Sequence, residues 1–282
     1  AVITTVDLDH QDYLGNDREA IGFEKAGIAR AWKPLVLGED DPPASVLRHA
    51  YAIGASAVRA NCDFFFARLP QAIGEPPQWR WREIGWRVEL PLPQLAAPSQ
   101  LRNAATAIAA LRALGKPLPK PAIAQGISQT RVAGRLQRFE RDGVEIVVDV
   151  AHNPQAAREL AAWLAQTPVP GRNLAVFGAL GDKDVVGVAR ALEADIDGWY
   201  LGGLEAAGPR GGSVGALAAK LAGTAAAGGA HHADVATALA AARAQARSGD
   251  RILLFGSFHT VAAALTVLEP RDDSEAGETR AV

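Results

Sequence analysis

From Val144 onward the chain alternates short apolar runs with helical segments, and this rhythm limits its fold more than any other feature. The runs EIVVDV, NLAVFGAL, DGWYLGG and RILLFGS lack polar alternation, which is typical of strands buried on both faces of a sheet. Segments with helical periodicity follow them, and we expect helices over 154–165, 185–193, 213–221, 234–247 and 258–267. This order predicts a mainly parallel sheet covered by helices on both faces.

The first half of the chain mixes its elements. We expect strands over 1–8, 35–37, 57–60, 64–68, 79–81 and 86–90, and helices over 16–26, 45–53 and 100–114. The change of rhythm near Gly134–Leu136 predicts one domain over 1–134 and a second over 135–270. A polar tail over 271–282 has the composition of a disordered segment. Because the chain opens without Met in the strand-like AVITTVDL, we expect a fragment of a longer protein.

Composition excludes some partners. The net charge of −2, from 29 Lys and Arg against 31 Asp and Glu, gives no electrostatic reason to expect a nucleic acid or a membrane. The single cysteine, Cys62, rules out an intrachain disulfide and predicts a cytoplasmic protein. Tryptophans and arginines interleave over 79–87, which could suggest base stacking. The same alternation has the period of two of a half-buried hairpin, and we favour that interpretation.

The segment Leu8–Ile28 carries the most chemistry. His10 follows a predicted strand, so it could bind a divalent cation at the edge of a sheet or simply hydrogen-bond within a loop. Asn16 and Glu19 have the spacing of a helix capping box. Lys25 lies on the apolar stripe of that helix, where a lysine either extends toward solvent or loses its proton and can be carbamylated.

Two later motifs also place polar side chains at strand ends. In VVDVAHNPQA, Asp149 ends a buried strand and needs a partner or ligand, while Asn153 and Pro154 predict a helix N-cap and first residue. His152 has no comparable structural role. In GSFHT, Ser257 can cap the last helix, whose N-terminus also suits an anion.

Two further residues have weaker signals. Asn103 lies early in an Ala-rich helix, where its carboxamide could read a nucleotide or remain solvated. Arg135 lies near the predicted domain boundary, where its guanidinium could bind phosphate or be an ordinary surface arginine.

The pattern DH-x₃-LG-x₈-EKAGI, together with D-x-AHNP and GSFHT, resembles the dihydrofolate synthase/folylpolyglutamate synthase family, which is related to the bacterial Mur ligases. The resemblance implies an α/β chain. It would comprise the C-terminal part of a P-loop-type Mur ligase central domain, followed by a Rossmann-like doubly wound C-terminal domain.

The resemblance also implies site residues. His10 would bind a catalytic magnesium, and a carbamylated Lys25 would help to organise the metal site. Asn103 and Arg135 would bind ATP, with the arginine on the phosphates, and Asp149 would contact the nucleotide. His152 would lie near the phosphates and the incoming amino acid, and Ser257 would contact glutamate.

The activity implied by the resemblance is ATP- and Mg²⁺-dependent amide synthesis through an acyl phosphate. L-glutamate would be joined to dihydropteroate and to folate polyglutamate tails by a monomeric enzyme. A Mur-type cell-wall ligase and a non-catalytic binding domain are the alternatives. No Gly-x₄-Gly-Lys-[Ser/Thr] phosphate loop occurs in these 282 residues, so we expect the chain alone to bind ATP poorly and not to turn over.

Overall fold

The computed structural model describes residues 1–8, 14–71, 73–95 and 97–269. The chain divides into two compact units, an N-terminal unit over Ala1–Arg131 and a C-terminal unit that begins at Val132. The metal ligand expected at His10 and the tail expected over 271–282 lie outside the described residues.

The N-terminal unit contains two small sheets. Its elements are β1 (Val2–Ile3), α1 (Arg18–Ala26), β2 (Pro34–Leu37), α2 (Ala44–Ala52), β3 (Ser56–Arg59), β4 (Phe64–Arg68), β5 (Gln78–Glu83), β6 (Trp86–Pro91), α3 (Pro98–Ala113) and α4 (Lys120–Gln129). Strands β1, β2 and β3 form a parallel sheet in that order. Strands β4, β5 and β6 form an antiparallel sheet, and α3 and α4 pack against its apolar face.

The Trp-Arg run forms β5, and its alternation is that of a half-buried strand. Trp79 and Trp81 are fully buried, while Arg80 and Arg82, which alternate with them, lie on the other face of the strand. The Trp81 indole N–H donates to the Ala105 carbonyl of α3 at 3.0 Å, which ties the sheet to the helix. Arg80 pairs instead with Glu89 on the neighbouring strand at 2.7 Å. The hairpin interpretation is confirmed.

Helix α1 begins one residue later than the capping-box spacing predicts. Its N-cap is Asp17, whose carboxylate accepts from the Ala20 N–H at 2.8 Å, so the prediction of Asn16 was wrong. Glu19 serves a different helix, because its carboxylate accepts from the Ala44 and Ser45 N–H groups at the start of α2. Those two amides hold the pKa of Glu19 below its usual value. The acidic residue of the motif therefore ties α1 to α2.

The C-terminal unit is built on one six-stranded sheet. Its elements are β7 (Gln137–Arg141), β8 (Val144–Val148), α5 (Pro154–Gln166), β9 (Asn173–Phe177), α6 (Val185–Leu192), β10 (Gly198–Gly202), α7 (Val214–Lys220), β11 (Ala230–His232), α8 (Val235–Gln245), β12 (Arg251–Phe255) and α9 (Phe258–Leu268). The strand order is β11-β10-β9-β12-β8-β7. All neighbours are parallel except β7 and β8, which are antiparallel.

The four apolar runs that predicted this sheet form β8, β9, β10 and β12, and the five expected helices follow within a few residues of their predicted bounds. Every residue of β12 is buried, as expected for a central strand covered on both faces. The mainly parallel sheet is therefore confirmed. Three elements were not predicted, namely β7, β11 and α4. Strand β7 is mostly exposed, and β11 has only three residues.

Within the described ranges, no helix is long and apolar enough to cross a membrane.

Candidate functional site

Two loops lie side by side at the carboxyl edge of the large sheet. Strands β8 and β12 are neighbours, with Val148 opposite Leu254, so they end at the same level. The Asp149 N–H continues the pairing by donating to the Leu254 carbonyl at 2.9 Å. The AHNP segment follows β8 and the GSFHT segment follows β12, and both open helices. This edge is where open α/β sheets bind their ligands.

Asp149 fixes the segment that enters the sheet. Its carboxylate accepts from the Leu136 and Ala151 N–H groups, each at 2.8 Å. The Val150 N–H donates to the Gly134 carbonyl at 2.9 Å, so three hydrogen bonds hold the segment Gly134–Leu136 and the end of β8 in place. The partner expected for this carboxylate is thus the backbone itself.

The same segment has an unusual backbone. Leu136 has a φ of 45° and Gly134 a φ of 66°, both in the left-handed region. A Cβ at Gly134 would lie 2.6 Å from the Val261 side chain, so the position has no room for a larger residue. The left-handed backbone is unfavourable for a residue with a side chain, such as Leu136. The carboxylate of Asp149 therefore stabilises a turn that would otherwise be strained, and Arg135 lies in that turn.

Burial and the neighbouring donors and charges have opposite effects on the pKa of Asp149. Burial raises the pKa of this carboxyl, whereas the N–H groups of Leu136 and Ala151 and the nearby charges of Arg135 and His152 lower it. The net pKa is raised, which means that the charged form is less stable here than in water. Positive charge nearby therefore stabilises this edge of the sheet.

Arg135 and His152 converge on one aromatic ring. The Arg135 guanidinium carbon lies 5.6 Å from the centre of the Phe258 ring, and the His152 ring centre lies 6.3 Å from it. The His152 Nδ1 is 3.0 Å from the Val150 carbonyl, which can only accept, so Nδ1 carries a proton. In the neutral imidazole the basic nitrogen is therefore Nε2.

The two helix caps at this edge match expectation. The Asn153 side chain accepts from the Ala156 N–H at 2.8 Å, and Pro154 is the first residue of α5. Ser257 caps α9 by accepting from the His259 N–H at 3.1 Å. Ser257 is only 4% exposed, so capping is the role that its surroundings support. Its predicted contact with glutamate stays a prediction.

The other two predicted site residues belong to the N-terminal unit. Lys25 projects from α1, is partly buried, and donates through Nζ to the Thr5 carbonyl at 3.2 Å. Asn103 lies in the first turns of α3 and is also partly buried, and its Nδ2 is 3.3 Å from Gln100 Oε1. Lys25 therefore extends to a backbone carbonyl rather than to solvent.

The structure thus groups four predicted residues, Arg135, Asp149, His152 and Ser257, around one edge of the C-terminal unit. Sequence reasoning missed Phe258, although an aromatic residue directly after a helix cap was a usable signal. For magnesium, no group of three or more His, Cys, Asp or Glu side chains suited to a metal occurs within the described ranges. The expected ligand His10 is not among the described residues, so a metal site cannot be assembled from the others.

Comparisons with known proteins identify relatives of this chain. A family model described as Mur ligase, glutamate ligase domain, matches residues 134–258. The dihydrofolate synthase/folylpolyglutamate synthase of Escherichia coli K12 is 39% identical over 272 residues, which cover 96% of this chain and 60% of that protein.

Solved structures give the same result. The structure of E. coli FolC in complex with DHPP and ADP is 38% identical, with a TM-score of 0.83, covering 98% of this chain and 61% of that one. A bifunctional folylpolyglutamate synthase/dihydrofolate synthase with Mn, AMPPNP and L-glutamate bound is 40% identical, with a TM-score of 0.82, covering 95% of this chain and 61% of that one. The chain therefore spans about three fifths of these relatives.

Sequence identity and fold lead to one assignment, which confirms the α/β class expected from the motifs. Over nearly its whole length the chain is similar to the dihydrofolate synthase/folylpolyglutamate synthases, and its residues 134–258 match the glutamate ligase domain of the Mur ligases.

Proposed function

We propose that the enzyme containing this chain joins L-glutamate to dihydropteroate and to folate polyglutamate tails at the expense of ATP. The acceptor carboxylate would take the γ-phosphoryl group of ATP, forming an acyl phosphate and ADP. The α-amine of glutamate would then attack the acyl carbon, and phosphate would leave. The proposal extends to this chain what the relatives' structures hold, namely ADP with DHPP in one and AMPPNP with L-glutamate in another.

One observation carries the proposal. Within the described part of the chain, no hydrogen bond occupies the guanidinium of Arg135, although its backbone is fixed through Leu136. A guanidinium has five N–H donors in a planar fork that matches phosphate oxygens. It lies at the edge of the sheet where α5 and α9 begin, and helix N-termini favour anions. The chemistry of these donors therefore fits the phosphates of a nucleotide.

The remaining residues of this edge have distinct proposed roles. The His152 Nε2 would accept the proton that the α-ammonium of glutamate must lose before it can attack. Asp149 would hold the Arg135 turn through its two N–H bonds. Its predicted contact with the nucleotide would use lone pairs that those two bonds leave.

The N-terminal unit would contribute Asn103 to the nucleotide and a carbamylated Lys25. Carbamylation would replace the donor contact from Lys25 to the Thr5 carbonyl with an anionic group. Magnesium, when bound, would neutralise phosphate oxygens. The carbamate would add an anionic ligand for the metal beside the predicted ligand His10.

The test uses the full-length enzyme that contains this sequence. Purified protein with ATP, Mg²⁺ and L-glutamate is offered dihydropteroate, tetrahydrofolate or a UDP-muramyl acceptor, and phosphate release and product mass are measured. Products with the first two acceptors are expected. Product with the muramyl acceptor alone would support the Mur-type alternative, and no product with any acceptor would support a non-catalytic binding domain.

An arginine variant sharpens the test. Arg135→Ala should lower kcat/KM for ATP by about 100-fold or more, the usual cost of removing one donor to developing charge. Arg190→Ala is the matched control, since Arg190 lies exposed in the last turn of α6. Equal activity of the two variants would contradict the role proposed for Arg135. The monomeric state, the cytoplasmic location and the absence of nucleic-acid or membrane partners stay predictions.

A further inference from the structure

The backbone geometry of the GSFHT loop accounts for its glycine, serine and threonine, but it gives no reason for the exposed ring of Phe258. Gly256 has a φ of 116°, and a Cβ there would lie 2.4 Å from the Gly178 carbonyl oxygen. Ser257 caps α9, and the Thr260 hydroxyl donates to the same Gly178 carbonyl at 2.6 Å. These three residues fix the loop. Phe258, between them, is 61% exposed, although a phenyl ring gains by burial.

The surroundings of that ring supply a reason. The guanidinium of Arg135 lies against it, with its central carbon 5.6 Å from the ring centre. The imidazole of His152 lies on the same ring, with 6.3 Å between ring centres and 45° between ring planes. Arg135 comes from the segment before β7 and His152 from the loop after β8, so Phe258 is where the two side chains meet.

We propose that Phe258 is a positioning residue, whose ring holds the Arg135 guanidinium and the His152 imidazole in the orientations that the ligase reaction uses. The inference rests on the proposed function for the nature of the ligand, but the contacts themselves do not depend on it. Phe258 does not act on the substrate; it acts through its two neighbours.

The chemistry of the guanidinium makes this arrangement effective. A cation within about 6 Å of an aromatic face is attracted by the electron density of the ring. The five N–H donors lie in the guanidinium plane and point outward, so a ring contact leaves them available for phosphate oxygens. Among the described residues the guanidinium has no hydrogen bond, so nothing else in this part of the chain fixes its rotamer so directly.

A kinetic experiment on the full-length enzyme tests the role. Phe258→Leu keeps an apolar side chain but removes the aromatic face, whereas Phe258→Tyr keeps the face. The KM for ATP and the Kd for AMPPNP should rise about two- to fivefold in the leucine variant, as expected for an exposed cation–π contact. The tyrosine variant should retain wild-type values. In an Arg135→Ala background, Phe258→Leu should have no further effect on the Kd.

A second readout requires no ligand. In the 282-residue chain, the side-chain NMR signals of Arg135 and the imidazole signals of His152 should carry ring-current shifts. Phe258→Leu should remove these shifts, and Phe258→Tyr should keep them. Phe65→Leu is the matched control, because Arg82 lies over the Phe65 ring at 4.3 Å in the N-terminal unit. It should change the signals of Arg82 and leave those of Arg135, together with the KM for ATP, unchanged.

The outcomes separate the two proposals. Loss of the ring-current shifts in Phe258→Leu with an unchanged KM and Kd would overturn the positioning role, and so would an equal effect of leucine and tyrosine. An undiminished effect of Phe258→Leu in the Arg135→Ala background would also overturn it. If the wild-type enzyme made no glutamate amide with any folate acceptor, the proposed function would fail, while the NMR comparison would still decide whether the Phe258 ring lies against Arg135 and His152.

Discussion

Replacing Asp149 by asparagine tests how much its carboxylate stabilises the turn that contains Arg135. The two carboxylate oxygens accept from different backbone amides, Leu136 and Ala151, each at 2.8 Å. Asparagine has the same shape but a single oxygen, so whichever amide it satisfies, the other N–H faces the Nδ2 group. Where the Leu136 N–H is the one left unpaired, this residue, with its φ of 45°, loses the contact that stabilises its conformation.

The cost can be worked out from these contacts. A hydrogen bond to a charged group contributes about 1.5–3 kcal/mol, and one such bond is lost. Part of this is recovered, because burial raises the pKa of Asp149 and asparagine carries no charge to desolvate. The free energy of unfolding should therefore fall by about 1–2 kcal/mol at pH 7.

The cost should also depend on pH. Because the pKa of Asp149 is raised in the folded chain, its titration favours folding below the ordinary carboxyl pKa. That contribution is lost as the pH rises through the raised pKa. Asparagine does not titrate, so the difference between wild type and Asp149→Asn should be larger at pH 4 than at pH 7.

Urea unfolding followed by far-UV circular dichroism measures this difference, with comparable m-values as the condition for comparing midpoints. Asp142→Asn is the matched control, because the Asp142 side chain is 90% exposed and its φ of 55° suits asparagine. The control should change stability by less than about 0.5 kcal/mol. An Asp149→Asn variant as stable as the control at both pH values would refute this account of the turn.

Three further predictions concern separate features. Trp81→Phe should lower stability by about 2–3 kcal/mol, since it removes the indole bond to Ala105 and leaves a void; Trp32→Phe, at an 83% exposed position, should have little effect in the same urea assay. Burial alone would raise the pKa of Asp250, but hydrogen bonds from Arg172 and from the Arg247 amide lower it to about 2. Asp250→Asn should therefore lower the free energy of unfolding at pH 7, and the difference from wild type should shrink as the pH falls toward 2. Isothermal titration of the 282-residue chain with ATP and Mg²⁺ should give weak or no heat, because the sequence has no phosphate loop; tight one-to-one binding would contradict that expectation.

Strand and helix patterns were predictable where burial was strong. Strands β8, β9, β10 and β12 are buried over most of their length, so their apolar runs stand out in the sequence. Strand β7 could not be predicted from its pattern, since its residues are mostly charged and exposed. Helix α4 starts with Lys120 and Pro121 and buries only Ile123, so little apolar periodicity marks it.

The candidate site was predictable in its residues but not in its contacts. The motifs identified Asp149 and His152, and the N-cap rule identified Asn153 and Ser257. The roles depend on long-range geometry that no local pattern encodes. Asp149 bonds to Leu136, 13 residues earlier, and Glu19 caps a helix that begins 25 residues later. Phe258 gains its neighbours only because β8 and β12, which are far apart in sequence, pair side by side.

The two ends of the six-stranded sheet have a consequence for how the chain behaves at high concentration. An open strand edge can recruit a strand from another molecule and so begin aggregation. One edge here is β11, which offers only three residues. The other is β7, whose exposed arginines and glutamate would meet any approaching strand with charge. Strand β7, which the sequence pattern did not predict, thus protects the sheet from edge-to-edge pairing. Replacing its charged residues by valines would create an aggregation-prone edge.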